Sequence, residues 1–583
     1  MKRKTLLISL ILILCILAGC SNNGGSEQLS SEPLSSSENA GKTISGTVVE
    51  VSLFNNSFVF DTIDSEKIQV KVSNSTEIDF LKKEEELPSE SVSENTSSTE
   101  TQNKEETINQ GNVEVSIDNQ AQGTEPSEAV STQSQTETTS TGSQGNNATS
   151  DQSQKPSIRD IKEGDEVEVT FDEDGKTAKK VSIVKYIVPE SINNGSASNL
   201  INKDKTIAGD TFSSIGINEN ALRINNAKVT ASGIIIKKPS GDASNEHSLI
   251  SQGVNSALLV KGNSSAKFDG LRVTSSALNG NGVFACENKS NLLIDMGTIK
   301  TTGDNSSAVS VSYGAHADIQ NTRGDTSGTN SPAINNSYSG GTIKLSDSSF
   351  TSTGKNSPVI YNKFDVFAEN TFLTTTDSET VIIEDGGKTE LKNCNILNSS
   401  STSGATKSNF LLFGRENNPE KIAVAQFDVL GGNIVNGPGD VFRITNTEAN
   451  INLTSSNIVS SPEEKNLFNV SGNTMKGWGT AGINGGKAYI TTEKQKLEGR
   501  ILVDNISYVS LDMKNNSYFK GSVNIQKNVA APKPLSENVK VIIDKTSTWE
   551  LTGDSMVTTL INEGKIIYNG HKITLADGTV LNK

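Results

Sequence analysis

Histidine is almost missing from this chain. His247, His316 and His571 are the three in 583 residues, and each stands alone. That leaves no histidine pair to hold a metal and no histidine base beside a nucleophile. Cysteine is nearly as scarce. Of the four, Cys286 and Cys394 sit in the strand-like contexts "VFACEN" and "LKNCNI". Neither belongs to a Cys-x-x-Cys pair, so they read as small buried side chains rather than as a zinc site. Aromatic residues make up 5% and all hydrophobic residues 33% of the sequence. That is poor material for a compact core, but adequate for a thin, repetitive β structure or for disorder. No basic stripe offsets the formal charge of -16, which disfavours a nucleic-acid partner and fits a solvated surface.

What is present begins with an export signal. Lys2, Arg3 and Lys4 form a positive start, Leu6 to Leu17 is an apolar run, and Leu17-Ala18-Gly19-Cys20 follows. The run is too short for an ordinary membrane-spanning helix and ends in small residues. The last four residues resemble the bacterial lipobox. The resemblance implies a signal peptide over 1–19, removal of that peptide, and a Cys20 that carries lipid such as palmitate. The product would be a lipoprotein anchored on the extracytoplasmic face of a bacterial cell membrane, held by more than one acyl chain. Residues 20–42 are Ser-, Gly- and Asn-rich and read as a disordered tether.

Two β-rich stretches follow, at 43–81 and 158–190, separated by a Ser/Thr/Glu-rich segment at 82–157. The separating segment has too few apolar groups to offset the entropy of ordering it, so it reads as a disordered insertion. The flanking stretches read as halves of one small β-barrel-like domain. "GTVVEV" at Gly46 and "IKEGDEVEV" at Ile161 resemble the opening and a later strand of small OB-like domains of secreted bacterial proteins. Without a basic cluster or exposed aromatics, a spacer or contact role is expected rather than nucleic-acid reading.

The remainder, 200–583, is repetitive. "GDNSSAVSV" at Gly303 returns as "GTNSPAINN" at Gly328 and as "GKNSPVIYN" at Gly354. Apolar pairs keep the same clock: Ala257-Leu258, Val283-Phe284, Ala308-Val309, Ala333-Ile334, Val359-Ile360 and Val381-Ile382. Phe268, Ile294, Ile319 and Leu345 form a second column, and Val273, Ile299 and Phe350 a third. Three short strands in roughly 25 residues cannot bury a core alone, but stacked coils can. The pattern resembles the right-handed parallel β-helix of the pectin-lyase-like superfamily, within an all-β chain. The Gly-x-Asn-Ser phrase is expected to be the joint between coils, its glycine and asparagine taking left-handed backbone angles. Pro332 and Pro358 are expected to open the next strand, and the aromatic-rich C-terminal coils, with Tyr489, Tyr508, Phe519, Trp549 and Tyr568, to close the solenoid.

The superfamily resemblance brings polysaccharide lyases and hydrolases into view, yet their Asp-Asp, Gly-His-Gly and Arg-Ile-Lys patterns are absent. No catalytic residue and no cofactor is assigned. Asp269 and Asp295 fall on neighbouring coils and are a candidate pair for a surface cation; Arg323-Gly324-Asp325 matches an adhesive tripeptide. The expectation is therefore a non-catalytic, monomeric surface lipoprotein that presents its β-helix to carbohydrate or to a surface protein, resembling adhesin-like and carbohydrate-binding β-helix lipoproteins. The alternatives are a polysaccharide lyase or hydrolase with an unfamiliar site and a purely structural envelope spacer. Recognition is expected where the rhythm breaks, around Ser399 to Asn436 or in the C-terminal coils.

Overall fold

The computed structural model describes residues 39–83, 158–186 and 192–583, less short stretches at 53–55, 63–65, 74, 159–160, 162–164, 244–249, 400–407, 418–421 and 460–465. The signal peptide with Cys20, most of the tether, and the 82–157 insertion beyond Lys83 lie outside the described residues. The described chain is all-β, without a helical element, and divides into two compact units.

The first unit is a six-stranded sheet of β1 (Thr43–Ser52), β2 (Ser57–Thr62), β3 (Lys67–Lys71), β4 (Glu77–Lys83), β5 (Glu166–Phe171) and β6 (Ala178–Tyr186), in the order β3-β2-β1-β5-β6-β4. β1 and β5 pair antiparallel across the long separation in sequence, Thr43 opposite Thr170 and Thr47 opposite Glu166. The sheet curls until Lys71 N donates to Lys176 O at 3.0 Å, next to a bridge with Thr177. Phe58, Phe60, Val169, Phe171 and Val181 fill the inside. A Cβ on Gly46 would stand 2.3 Å from the Asp61 carbonyl oxygen, so the glycine of "GTVV" is what lets β1 lie close against β2.

The second unit is a right-handed parallel β-helix with three walls. Wall one has 13 strands, from Leu200–Ile201 to Val523–Gln526, and wall two has 14, from Lys205–Ala208 to Thr559–Asn562. Wall three runs for 10 strands, from Thr211–Ser213 to Asn457–Val459, and resumes as four more, from Lys496–Glu498 to Lys565–Ile567. The chain visits the walls in turn, and each strand pairs in parallel with its equivalent one coil on, about 4.8 Å away. Across the break in wall three a side chain replaces the missing backbone pairing. Gln495 accepts from Ser456 N and donates to Ser456 O, both at 2.8 Å.

Inside, Phe268, Ile294, Ile319 and Leu345 stack in wall two as expected. In wall three Val273, Ile299 and Phe350 share a column whose missing member is Gly324, and the Phe350 ring occupies the space a Gly324 side chain would need. Farther along, Phe410, Phe442 and Phe468 stack with ring centroids 5.0 and 4.6 Å apart.

Wall one differs from the expected register by one residue at two coils. Val283 pairs with Leu258 and Val309, and Val381 with Ile360, not with the alanine or valine column one residue earlier. Around Val283 both faces of this wall are covered: Leu259, Phe284, Cys286 and Tyr313 form a second apolar cluster on its outer side, and at Val381 the outward Ile382 is apolar too. A strand buried on both faces reads as a continuous apolar run, which leaves its register unspecified by pattern.

The repeated phrase occupies the corner from wall three to wall one. Asn255, Asn305, Asn330 and Asn356 take φ between 52° and 68°. The glycines at 303, 328 and 354 are not left-handed; they are needed for close approach. A Cβ would lie 2.0 Å from Ala277 O at Gly303, 1.9 Å from Gly303 O at Gly328 and 1.8 Å from Gly328 O at Gly354. The serines hand hydrogen bonds down the stack. Gly280 N donates to Ser306 Oγ at 2.9 Å, Ser306 N to Ser331 Oγ at 2.9 Å, and Ser331 N to Ser357 Oγ at 2.8 Å. Pro332 and Pro358 stand two residues ahead of their strands rather than on the first strand residue.

The solenoid closes at its C-terminal end. Ser555–Met556 and Ile573–Thr574 pair in parallel, but Val580–Leu581 turns back antiparallel on Ile573–Thr574 and ends the stacking. Phe519 and Trp549 stack in the interior at 5.8 Å, with the indole N–H donated to Gly521 O at 3.1 Å.

Gly328→Ala is expected to destabilise the solenoid by about 3 kcal/mol, the upper end of overpacking costs. Gly553→Ala, where the nearest atom to an added Cβ is 3.5 Å away, should change stability by no more than about 0.5 kcal/mol. Denaturant midpoints of the two variants check this.

Candidate functional site

The corner from wall two to wall three turns on a left-handed residue. From Gly209 through Met296, Asn321, Asp347 and Asn370 to Asn393, each coil has one residue there with φ between 46° and 72°, while the coils at Gly431-Gly432 and Asn515-Asn516 have two in succession. From Gly297 to Cys394 the next position is buried and small or polar. Gly297 N donates to Thr322 Oγ1, and Thr322 N to Ser348 Oγ, both at 3.1 Å. Cys394 stands in the same row and donates its thiol to Ala368 O at 3.3 Å, as its hydroxyl neighbours do with their own oxygens. Burial pushes its pKa up to about 11, so it acts as a serine substitute and not as a nucleophile. Cys286 is likewise buried under wall one, its pKa pushed up to about 12.

A groove of about 480 Å³ opens along this corner, lined by Gly297, Asn321, Arg323, Asp347, Ser349, Asn370 and Phe372 among others. Phe372 is 56% exposed. In its column from Arg272 onward the outward residues are Thr298, Arg323, Ser349, Asn395, Asn433 and Asn457. Phe372 is the sole apolar member among them. On its far side Asn433 Nδ2 donates to Asn395 Oδ1 at 2.9 Å and Asn457 Nδ2 to Asn433 Oδ1 at 3.1 Å, a self-satisfied amide ladder.

A second aromatic feature lies on wall two. Tyr489 and Tyr508 stand on adjacent strands with ring centroids 5.7 Å apart and planes 53° to each other. Tyr489 is 40% exposed. Asn450, Ser510, Lys487 and Glu448 surround the pair through the strand register. Burial and then the Glu448 carboxylate raise the Tyr489 pKa, so the phenol keeps its proton and is able to donate it to a ligand oxygen in a hydrogen bond. Of the five C-terminal aromatics singled out above, these two face outward while Phe519 and Trp549 are buried core.

The candidate cation pair is stacked as the repeat requires: Asp269 is the register partner of Asp295, which in turn partners Gln320. Asp295 Oδ1 accepts the Asn321 amide at 2.9 Å, and Gln320 turns its own amide to Asp318. Among the described residues no three His, Cys, Asp or Glu side chains gather as a metal site. Arg323-Gly324-Asp325 is part of a wall-three strand, with Gly324 facing the core. Arg323 and Asp325 pair with each other at 2.8 Å, so the tripeptide is not presented on a loop.

Sequence reasoning gave no sign of a buried charged cluster on the outer side of wall one. Glu384 meets Arg415 Nε at 2.5 Å and Lys363 Nζ at 3.2 Å, and accepts the Tyr361 hydroxyl. Lys363 also reaches Asp385 at 3.2 Å, while Arg415 N donates to Asp385 Oδ1 at 2.8 Å. The Glu384 side chain is only 2% exposed. Burial pushes its pKa up, but the charges of Lys363 and Arg415 outweigh this and hold it below the ordinary carboxylate value. Asn446 Nδ2 clamps the same segment through Gly414 O and Glu416 O at 2.8 and 2.9 Å, and Trp478 packs on Phe413 at 4.1 Å. The acids and bases are matched to one another, as in a structural lock rather than a reaction centre. Compared with family models, curated proteins and solved structures, the chain finds no match in any of the three.

Glu384→Gln should cost about 3 kcal/mol near neutral pH, because it takes the carboxylate from the largely buried Arg415 guanidinium and leaves Lys363 with Asp385 alone. A carboxylate whose pKa falls on folding contributes stability above its unfolded pKa and loses it as the pH drops through the folded one. The gap between wild type and variant in urea midpoints should therefore shrink in acid.

Proposed function

We propose that this chain is a bacterial surface lipoprotein, anchored through Cys20, whose β-helix binds carbohydrate without transforming it. The lipobox-like start and the pectin-lyase-like pattern of coils support the first half of this reading. The observation that carries the second half is the Tyr489–Tyr508 pair on the outer face of wall two, with Tyr489 40% exposed and the polar Asn450, Ser510 and Lys487 as its register neighbours. A sugar ring has an apolar C–H face and a rim of hydroxyls. A tyrosine offers the matching apolar face with a polar tip, and Asn450, Ser510 and Lys487 offer hydrogen-bonding groups beside it. Catalysis is disfavoured at the acid and base cluster around Glu384, which is buried and internally paired.

The test is a glycan array probed with soluble chain from Ser21 to Lys583, alongside assays for reducing ends and unsaturated products on acidic glycans. Binding should appear without product, and Tyr489→Ala combined with Tyr508→Ala should weaken it at least tenfold. An array with no bound glycan removes the carbohydrate reading, and product formation replaces it with a lyase or hydrolase.

A further inference from the structure

We propose that the corner groove around Phe372 is a second saccharide site, selective for one neutral pyranose residue. The proposal rests on the carbohydrate-binding reading above but on different residues, and it names the ligand class.

The groove is shaped by a size pattern down one column of wall three. Arg323, Ser349 and Phe372 are register partners on three successive coils. The two large side chains are therefore two coils apart, about 10 Å, with only the small Ser349 between them. That gap takes a flat ring stacked on Phe372 at van der Waals distance. The side wall is the left-handed row Asn321, Asp347 and Asn370, all exposed, which lines up amide and carboxylate groups along the edge of such a ring.

Partnering sets the ligand's charge. Arg323 is the basic group of the lining, and Asp325 engages it twice, through Nε at 2.8 Å and Nη2 at 3.2 Å. Asp347 keeps a carboxylate on the lining, with Asn370 Nδ2 donating to its Oδ1 at 3.2 Å. An acidic sugar would meet an acidic rim whose guanidinium is already paired. A neutral ring with adjacent hydroxyls meets acceptors and donors of the right kind, and an aromatic face for its C–H side. The exposure of Phe372 has no packing explanation within the chain: its column neighbours are polar and the core is served by Leu373 beside it.

The experiment is saturation-transfer NMR and calorimetry on the Ser21–Lys583 chain. The probes are methyl β-D-glucopyranoside, methyl β-D-galactopyranoside and methyl α-D-mannopyranoside, with galacturonic acid as the charged counterpart. At least one neutral glycoside should bind, with affinity falling tenfold or more in Phe372→Ala and in Asp347→Ala and unchanged in Val529→Ala, an exposed apolar residue outside both sets of candidate binding residues. Galacturonic acid should bind at least tenfold more weakly. Phe372 is exposed, so Phe372→Ala should keep the wild-type melting midpoint, while Asp347→Ala, at a left-handed corner, should lower it slightly without unfolding the chain. Neutral-sugar binding that survives Phe372→Ala overturns this site while leaving the carbohydrate reading intact. Preference for galacturonic acid overturns the ligand class. Absence of binding to the glycosides alone, with a positive array, likewise overturns the site; a blank array removes both.

Discussion

Each coil of this solenoid must turn three corners within hydrogen-bonding distance of the coil below it, and that constraint governs which residues the corners accept. A backbone amide at a corner has no partner in its own coil, and leaving it buried and unpaired is costly. The chain answers with serine and threonine hydroxyls that receive the N–H of the preceding coil, as Ser331 does for Ser306 and Ser348 for Thr322. The same close approach forbids a Cβ at Gly328 and Gly354. Even the thiol of Cys394 and the carboxamide of Gln495 are explained by this requirement. The walls then add apolar ladders, but the corners set the spacing at which ladders form.

Part of this was legible in the residues and part was not. Gly-x-Asn-Ser marked the corner from wall three to wall one because one residue type recurs there for each of two reasons: asparagine for a left-handed backbone, glycine for proximity. The opposite corner also turns on left-handed residues, yet it uses Gly, Met, Asn, Asp, Ser and Lys there, so no one residue type marks it from coil to coil. Wall one hid its register at Val283 and Val381 because covered strands are apolar on both faces. Walls two and three, with one face in solvent, showed theirs in Phe268 to Leu345 and Val273 to Phe350.

The functional surfaces follow the same logic. In a strand such as "FLTT", sequence alone cannot say that Leu373 packs inward while Phe372 faces solvent; the register of the neighbouring coils decides it. Tyr489 and Tyr508 were visible as aromatics but not as a pair, since their partnership depends on which strands stack. The charged lock around Glu384 draws on three separate segments and leaves no local pattern. Scaffold and recognition thus separate cleanly: coils obey a shared rule, and candidate binding features are the outward positions where a coil departs from its neighbours.

The central claim, that coils stack as interchangeable units set by their corners, is tested most directly by excising one of them. Removing Gly303 to Ser327 joins Thr302 to Gly328 and restores the corner phrase intact. Removing one residue fewer, Gly303 to Thr326, shifts every following strand by one position and turns its inward residues to the other face. Urea unfolding of both deletions should show a cooperative transition near wild type for the first and a large loss of stability for the second. Equal behaviour of the two, or failure of the whole-coil deletion to fold, would contradict the account.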